Sequence, residues 1–262
     1  MVVLITGASS GIGRALAQHY LSQGRIVVAI ARRTALLEEL GREATGQLCI
    51  FPADVTDREA MAGIVAEVER RVGPIDLAIA AAGVADQEAG ADFDPVAAER
   101  MMITNVCGTF NVLAPIAANM RRRGSGQIVA ISSLASLQAL PHMTAYCASK
   151  AALNVGMDGM RFQLHGSGVR VTTICPGFIA TPMTADRIRS RWCMPLDKAM
   201  PRILRAIQRR QRVCYFPFWS YLCLRAFDLL PAPARIAVRR AACGIALPAP
   251  PGSRERRSGA LA

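Results

Sequence analysis

The stretch Thr6-Gly7-Ala8-Ser9-Ser10-Gly11-Ile12-Gly13 decides the fold, because it joins an apolar strand pattern over residues 2–6 to a helical pattern over residues 12–23. Glycines here let the backbone turn sharply and approach a pyrophosphate without a Cβ in the way. The helix that follows presents free N–H groups and its positive dipole end to that phosphate. This context predicts a dinucleotide-binding turn; a plain tight turn is the alternative, since the spacing is TGxxxGxG and not GxGxxG. The cofactor-binding residues predicted in the turn are Gly7, Ser9, Ser10, Gly11, Ile12 and Gly13.

The rest of the chain alternates apolar, β-branched runs with helical patterns. Further strands are predicted at 26–31, 48–51, 77–81, 128–131 and 169–174, with 213–216 as a candidate seventh. Helices are predicted at 35–44, 58–72, 145–164 and over most of 96–123. Strands that are apolar on both faces suit a parallel sheet covered by two layers of helices. The sequence therefore predicts an α/β fold, with a doubly wound, Rossmann-like parallel sheet in a single domain.

The domain organisation follows from composition along the chain. Hydrophobic residues make up 52% of the 262 residues and charged residues 19%, which is typical of a globular protein. We predict a Rossmann-fold domain over residues 1–217 and an aromatic, basic helical segment over residues 218–247. The end of the chain, residues 248–262, reads PAPPGSRERRSGALA. It lacks apolar content and is predicted to be disordered.

Two features of the sequence predict a cytoplasmic protein. The N-terminus runs straight into a strand pattern and lacks the basic start, long apolar stretch and cleavage site of a signal peptide. The eight cysteines are scattered and form no CxxC pair, so we expect reduced, mostly buried thiols. We expect no metal site.

The charge is distributed unevenly. Residues 1–184 carry 15 basic and 15 acidic side chains, whereas residues 185–262 carry 16 and 4, so the whole net charge of +12 lies in the last part of the chain. Such a region predicts an anionic partner, and a solvated basic surface is the alternative. No stacking or groove-reading motif for nucleic acid accompanies the charge, so nucleic acid is not expected. An anionic membrane surface stays open.

The second predicted strand ends in Ala31-Arg32-Arg33. Sites that prefer NAD usually carry an acidic residue near this point, which holds the ribose 2′-hydroxyl. None is present, and the guanidinium of Arg32 or Arg33 matches the geometry of a 2′-phosphate. The sequence therefore predicts a preference for NADP(H) over NAD(H); two solvated arginines are the alternative.

A tyrosine and a lysine in Tyr146-Cys-Ala-Ser-Lys150 are candidates for proton transfer. Positions i and i+4 share one face of a helix, and an ammonium that close favours the phenolate, which would lower the pKa of Tyr146. Ser133 ends a predicted strand 13 residues upstream, so a loop could return its hydroxyl to the site. Asn105 lies in the middle of a predicted helix, where a polar side chain is unfavourable, and a surface position is its alternative.

Together these motifs resemble those of the short-chain dehydrogenase/reductase family. The resemblance covers about residues 2–183 and rests on several motifs at once. They are TGASSGIG at 6–13, Asp54-Val55, Asp76-Leu77, Ala82-Gly83, Asn105, Ser133, Tyr146/Lys150, Pro176-Gly177 and Thr181-Pro182.

The resemblance implies a role for each residue. Tyr146 would protonate the carbonyl oxygen, Ser133 would hydrogen-bond it, and Asn105 would assist a water relay. Lys150 would hold the nicotinamide ribose and lower the pKa of Tyr146. The further cofactor contacts implied are Asp54 and Val55 at the adenine, Ala82 and Gly83 after the fourth strand, and Pro176, Gly177 and Thr181 at the nicotinamide end.

One departure from the family concerns the end of the fourth strand. The family usually has Asn-Ala-Gly there, and this chain has Ala81-Ala82-Gly83. The missing amide normally ties the sheet together near the cofactor, so local rigidity is in doubt more than activity is.

The segment after residue 182 departs most from the family. Six of the 14 aromatic residues lie within residues 215–227, and the apolar run Phe218–Leu230 is too short to span a bilayer. It could form a lid or wall of a greasy substrate pocket, lie on a membrane through its aromatics and arginines, or form an oligomer interface. A homo-oligomer is expected.

The sequence as a whole predicts an NADP(H)-dependent oxidoreductase that interconverts a carbonyl and an alcohol on a hydrophobic, lipid-like substrate. An alcohol dehydrogenase working in the oxidative direction and a non-catalytic, cofactor-binding regulator are the alternatives, and the complete set of proton-transfer residues argues against the latter.

Overall fold

A computed structural model of the chain describes residues 1–43, 46–85, 93–140, 143–184 and 193–243, with side chains described as far as Val238. Its centre is a sheet of seven parallel strands in the order β3-β2-β1-β4-β5-β6-β7. The strands are β1 (Val2–Thr6), β2 (Ile26–Ala31), β3 (Leu48–Pro52), β4 (Ile75–Ala80), β5 (Gly126–Ile131), β6 (Val169–Pro176) and β7 (Val213–Phe216). The predicted doubly wound parallel sheet is confirmed, and the candidate seventh strand, β7, lies at one edge of the sheet.

Nine α-helices are described along these residues. They are α1 (Gly11–Ser22), α2 (Thr34–Glu43), α3 (Arg58–Arg71), α4 (Pro95–Met102), α5 (Gly108–Arg123), α6 (Thr144–Gln163), α7 (Leu196–Gln208), α8 (Phe218–Asp228) and α9 (Ala232–Cys243). The helix predicted over 96–123 is two helices joined by a π-helical turn, Ile103–Cys107. The prediction of helix over most of 96–123 is therefore confirmed, and the π-helical turn, which the sequence did not indicate, contains the buried Asn105.

The sheet has a core on each face because successive strand residues point to opposite sides. In β1, Leu4 packs in the core with α3, α5 and α6, which contribute side chains such as Val65, Ile116 and Met157. Its neighbour Ile5 lies in the other core, with α1, α2 and α7. Because helices cover both faces of the sheet, the carboxyl ends of the strands stay accessible, and this is where α/β proteins bind ligands.

The chain divides into two compact units, Met1–Tyr221 and Leu222–Ala262. The division falls inside α8, a few residues after the boundary that composition predicts at 217. The predicted disordered tail, 248–262, lies outside the described residues.

Cysteines are less buried than expected: Cys147 and Cys175 are buried, but Cys107 and Cys223 are exposed, because the latter two lie on outward helix faces.

One helical stretch in the described residues, Pro95–Arg123, is long and apolar enough to span a bilayer. Its side chains at Val112, Leu113 and Ile116 are fully buried against the sheet, which is how a core helix behaves.

Candidate active site

A cavity of about 260 Å³ opens at the carboxyl edge of the sheet, beside β1 and β4, where the strand order reverses. Dinucleotides bind at this position in open α/β sheets. The structure brings together every cofactor-binding residue that the sequence predicts. The cavity is lined by Gly7, Ser9, Ser10, Gly11, Ile12, Gly13, Arg32, Arg33, Asp54, Val55, Ala82, Gly83, Tyr146, Lys150, Pro176, Gly177 and Thr181.

The glycine-rich turn is a tight cradle between β1 and α1. Gly7 has a φ of 67°, and a Cβ there would lie 2.7 Å from the backbone nitrogen of Ala82. A Cβ at Gly13 would collide with the Gly7 carbonyl. Ser10 precedes α1 but its side chain makes no capping hydrogen bond, so the helix presents its first N–H groups to the cavity side. These features fit a pyrophosphate group, which needs close backbone approach and free N–H donors.

The two arginines after β2 have different partners. Arg33 donates hydrogen bonds to the hydroxyl of Ser9 at 2.9 Å and to that of Ser10 at 2.6 Å, so it lies directly over the turn. Arg32 pairs with Asp54 at 3.4 Å beside the carboxyl ends of β2 and β3. Burial alone would raise the pKa of Asp54, but hydrogen bonds from Thr56 and the Arg32 charge outweigh it and lower the pKa. Arg33 is therefore the better placed of the two to meet an anion at the turn.

The proton-transfer residues meet where β5 ends and α6 begins. Tyr146 lines the cavity together with Ser133, which lies two residues after β5 and is the N-cap of a 3-10 turn. The Lys150 Nζ lies 5.8 Å from the centre of the Tyr146 ring and donates to the carbonyl of Ile131 at 3.0 Å. Three of the four predicted catalytic side chains thus line one end of the cavity.

The electrostatics of this pair differ from the sequence-based expectation. Burial raises the pKa of Tyr146 to about 12, with only a partial opposing effect from the Ser133 hydrogen bond. Burial also lowers the pKa of Lys150 to about 8. The expectation that Lys150 lowers the pKa of Tyr146 is not met in this arrangement, because the ammonium is bonded to Ile131 and burial dominates.

Asn105 lies behind the cavity wall and is fully buried. Its amide oxygen accepts a hydrogen bond from the Val84 N–H at 2.8 Å. Its amide nitrogen donates to the Val84 carbonyl and to the Ser149 hydroxyl, both at 2.9 Å. The alternative of a surface asparagine is therefore wrong: the side chain clamps the segment after β4 onto α6. The water relay stays a prediction.

Comparison with known proteins places this geometry in a family. Residues 1–192 match the short chain dehydrogenase family model. An uncharacterized oxidoreductase of Myxococcus xanthus is 33% identical over 90% of this chain and 95% of its own length. A putative ketoacyl reductase of Streptomyces coelicolor is 34% identical over 77% of this chain and 80% of its own length.

The chain belongs to the short-chain dehydrogenase/reductase family. It is an oxidoreductase, and the family uses NAD(P)(H). A crystal structure of a short-chain dehydrogenase from Streptomyces avermitilis has the same fold, with a TM-score of 0.77 over 94% of this chain and 99% of that one, at 24% identity.

In this short-chain dehydrogenase/reductase, backbone hydrogen bonds tie the strand end that carries Ala81 to β1. The Thr6 hydroxyl at the end of β1 accepts hydrogen bonds from the N–H groups of Ala81 and Ala82, both at 3.2 Å. The end of β4 is therefore hydrogen-bonded to β1 through Thr6, and a looser edge at this point stays a prediction.

Sequence reasoning missed one group of cavity residues and one supporting residue. The missed lining side chains include Thr104, Met143, Phe178 and Met183, three of them apolar. The two that follow Pro176-Gly177 and Pro182 could have been found from their neighbours in those motifs. Ser149 was missed because a serine inside a helix gives no signal that its hydroxyl bonds to a residue 44 positions away.

Proposed function

We propose that this short-chain dehydrogenase/reductase interconverts a carbonyl and an alcohol on a hydrophobic substrate, with NADP(H) as its cofactor. The observation that carries the proposal is a single cavity lined both by the glycine-rich cradle and by Ser133, Tyr146 and Lys150. When bound, NADPH supplies the hydride, and the residues of the chain handle the proton and the geometry.

The proton is held at the Tyr146 hydroxyl. With a pKa of about 12, this group is protonated at neutral pH and can donate to a carbonyl oxygen, while Ser133 is positioned to donate a second hydrogen bond to the same oxygen. Lys150, buried beside the tyrosine ring, is placed to bind the ribose hydroxyls and to stabilise the phenolate once the proton has left.

The preference for NADP(H) rests on Arg33. Its guanidinium lies over Ser9 and Ser10 beside the end of β2, where the ribose 2′-position of a bound dinucleotide would come. A charge-assisted bond to a 2′-phosphate contributes about 1.5–3 kcal/mol, which corresponds to roughly tenfold to a hundredfold in affinity.

Fluorescence titration tests the cofactor preference. NADPH should bind about tenfold to a hundredfold more tightly than NADH. Arg33→Ala should lose this difference, whereas Arg25→Ala, an exposed arginine before β2, should keep it. Equal affinities of the wild-type protein for the two cofactors would refute the preference.

The hydrophobic substrate is inferred from the open end of the cavity. Met143, Phe178 and Met183 lie beyond Tyr146, and Phe178 and Met183 are 36% and 40% exposed, so they offer apolar contact area to a ligand. The ketoacyl reductase name of the Streptomyces coelicolor relative is in keeping with such a substrate.

A screen of hydrophobic ketones and aldehydes, with NADPH consumption as the readout, tests the reaction class. We expect turnover that rises with the length of the apolar chain and falls when Phe178 is replaced by Ser. Turnover confined to short, polar carbonyl compounds would contradict the proposed substrate class.

A further inference from the structure

Helix α8 turns an apolar face outward. Trp219, Leu222, Cys223 and Ala226 are spaced i, i+3, i+4 and i+7, so they share one side of the helix. All four are exposed, Trp219 to 73%. The helix has no buried residue, whereas a surface helix normally packs such a stripe on the core. None of these four residues is among the described residues that line the candidate active site.

Aromatic stacking fixes the first turn of this helix. The rings of Tyr215, on β7, and Tyr221 stack 4.4 Å apart, and the Phe218 ring lies 6.4 Å from Tyr221. Phe218, itself 62% exposed, contacts the Trp219 ring edge-on at 6.2 Å. The outward aromatics are thus held in place before any partner arrives, which lowers the entropy cost of binding.

The following helix and the residues before it also expose apolar side chains. In α9, Ile236 and Val238 are 51% and 49% exposed, and Leu229, which precedes it, is 86% exposed. With 11 and 12 residues, α8 and α9 are each too short to span a bilayer. Helices of this kind can lie in the plane of a membrane interface, where tryptophan and tyrosine are enriched.

The charge of the surrounding residues indicates which kind of surface this face would bind. Residues 202–240 contain nine arginines and one acid, Asp228. A second copy of the chain would bring the same positive charge to the contact, and a nucleic acid offers nothing to exposed aliphatic side chains. An anionic bilayer satisfies both features. We propose that the outward face of α8 docks on an anionic lipid surface, with its apolar side chains at the acyl boundary and the arginines on the headgroups.

Vesicle co-sedimentation of the full-length protein tests the proposal. We expect binding to phosphatidylcholine vesicles that contain about 30% phosphatidylglycerol, and at least a tenfold loss of affinity on raising salt from about 50 mM to about 500 mM. Vesicles of phosphatidylcholine alone should bind much more weakly. Arg225→Gln should weaken binding roughly fivefold, and Arg25→Gln, its control outside the basic region, should not.

Two substitutions of one residue test the contribution of apolar side chains to vesicle binding. Trp219→Ser should lower vesicle affinity at least fivefold, and Trp219→Phe should largely retain it. Val96→Ser, on α4 and 74% exposed, is the control and should change nothing. Thermal melts establish that each variant is folded. Because the chain has two tryptophans, Trp192→Phe leaves Trp219 as the one tryptophan, and the tryptophan emission should shift to the blue on anionic vesicles.

Three outcomes would overturn the proposal. Wild-type protein could stay in the supernatant with anionic vesicles at low salt, or bind anionic and neutral vesicles equally. Trp219→Ser could instead leave vesicle binding unchanged while converting a dimer to a monomer in light scattering, in which case the face is a subunit contact. None of these readouts depends on turnover, so the result stands apart from the proposed reaction.

Discussion

At the scale of single residues, Tyr146 is the group on which the proposed chemistry depends. Replacing it with Phe removes the donated proton and leaves the ring, so cofactor binding should stay within about twofold while turnover falls on the order of a hundredfold to ten-thousandfold. Cofactor fluorescence and steady-state rates measure the two effects separately. Tyr20→Phe, another buried tyrosine with a raised pKa, is the control and should keep its turnover. Substantial turnover in Tyr146→Phe would assign the acid to another group.

Lys150 is a site residue whose buried charge lowers the stability of the folded state. Burial lowers its pKa from 10.5 to about 8, so the charged form costs the native state up to a few kcal/mol at neutral pH. Lys150→Met should therefore lose turnover yet be at least as stable as the wild type at pH 7. Lys198→Met, at an exposed position of α7, should leave both properties unchanged.

The pH dependence of that comparison has a definite sign. Between pH 8 and pH 10.5 the unfolded chain still binds the lysine proton and the folded chain has released it, so wild-type stability rises with pH relative to Lys150→Met. Urea denaturation at pH 7 and at about pH 10 should show the advantage of the variant shrinking. A growing advantage would mean that Lys150 is stabilised by its surroundings.

At the scale of elements, the π-helical turn between α4 and α5 shows what periodicity cannot predict. A helical pattern over 96–123 is correct on average, but one turn of different geometry carries Asn105 into the interior. The strands were easier to predict, because β-branched runs between turn signals are local features. The hydrogen bonds that lock Asn105 to Val84 and Ser149 connect residues distant in sequence, and only the packing of α4 and α6 reveals them.

The Asn105–Ser149 bond joins the π-helical turn to α6, so Ser149 acts as a positioning residue. Its hydroxyl also donates to the Tyr146 carbonyl at 2.8 Å. Ser149→Ala should cost about 1 kcal/mol of stability and lower kcat severalfold with little change in KM. Thr172→Val removes another buried hydroxyl, the acceptor of a Gln127 bond, and should cost similar stability without affecting kcat. Equal kcat values for the two variants would reduce Ser149 to a structural role.

At the scale of the whole molecule, the two ends of the chain differ in how much the sequence could predict. Within Met1–Tyr221, the predicted cofactor-binding residues all line the cavity, because glycine turns and strand ends follow local rules, whereas its apolar lining was not predicted. The secondary structure beyond residue 217 was predicted only as helical. Side chains described from 217 to 238 include none that is buried, so no core pattern there could specify the packing.

The difference in burial between these two parts of the chain predicts how the protein responds to truncation. All seven strands, the cavity residues and the Tyr215–Tyr221 stack lie within Met1–Tyr221, and apolar burial, which drives folding, is concentrated there. A chain ended after Tyr221 should unfold cooperatively, with a Tm within a few degrees of the full-length protein, and bind NADPH within about twofold of its affinity. A chain ended after Cys243 is the control, since it removes only residues 244–262. Thermal melts and cofactor titration of the three chains give the comparison. If the shorter chain aggregates or loses NADPH binding while the control does not, residues 222–243 support the cofactor domain, and the independence of the two units is wrong.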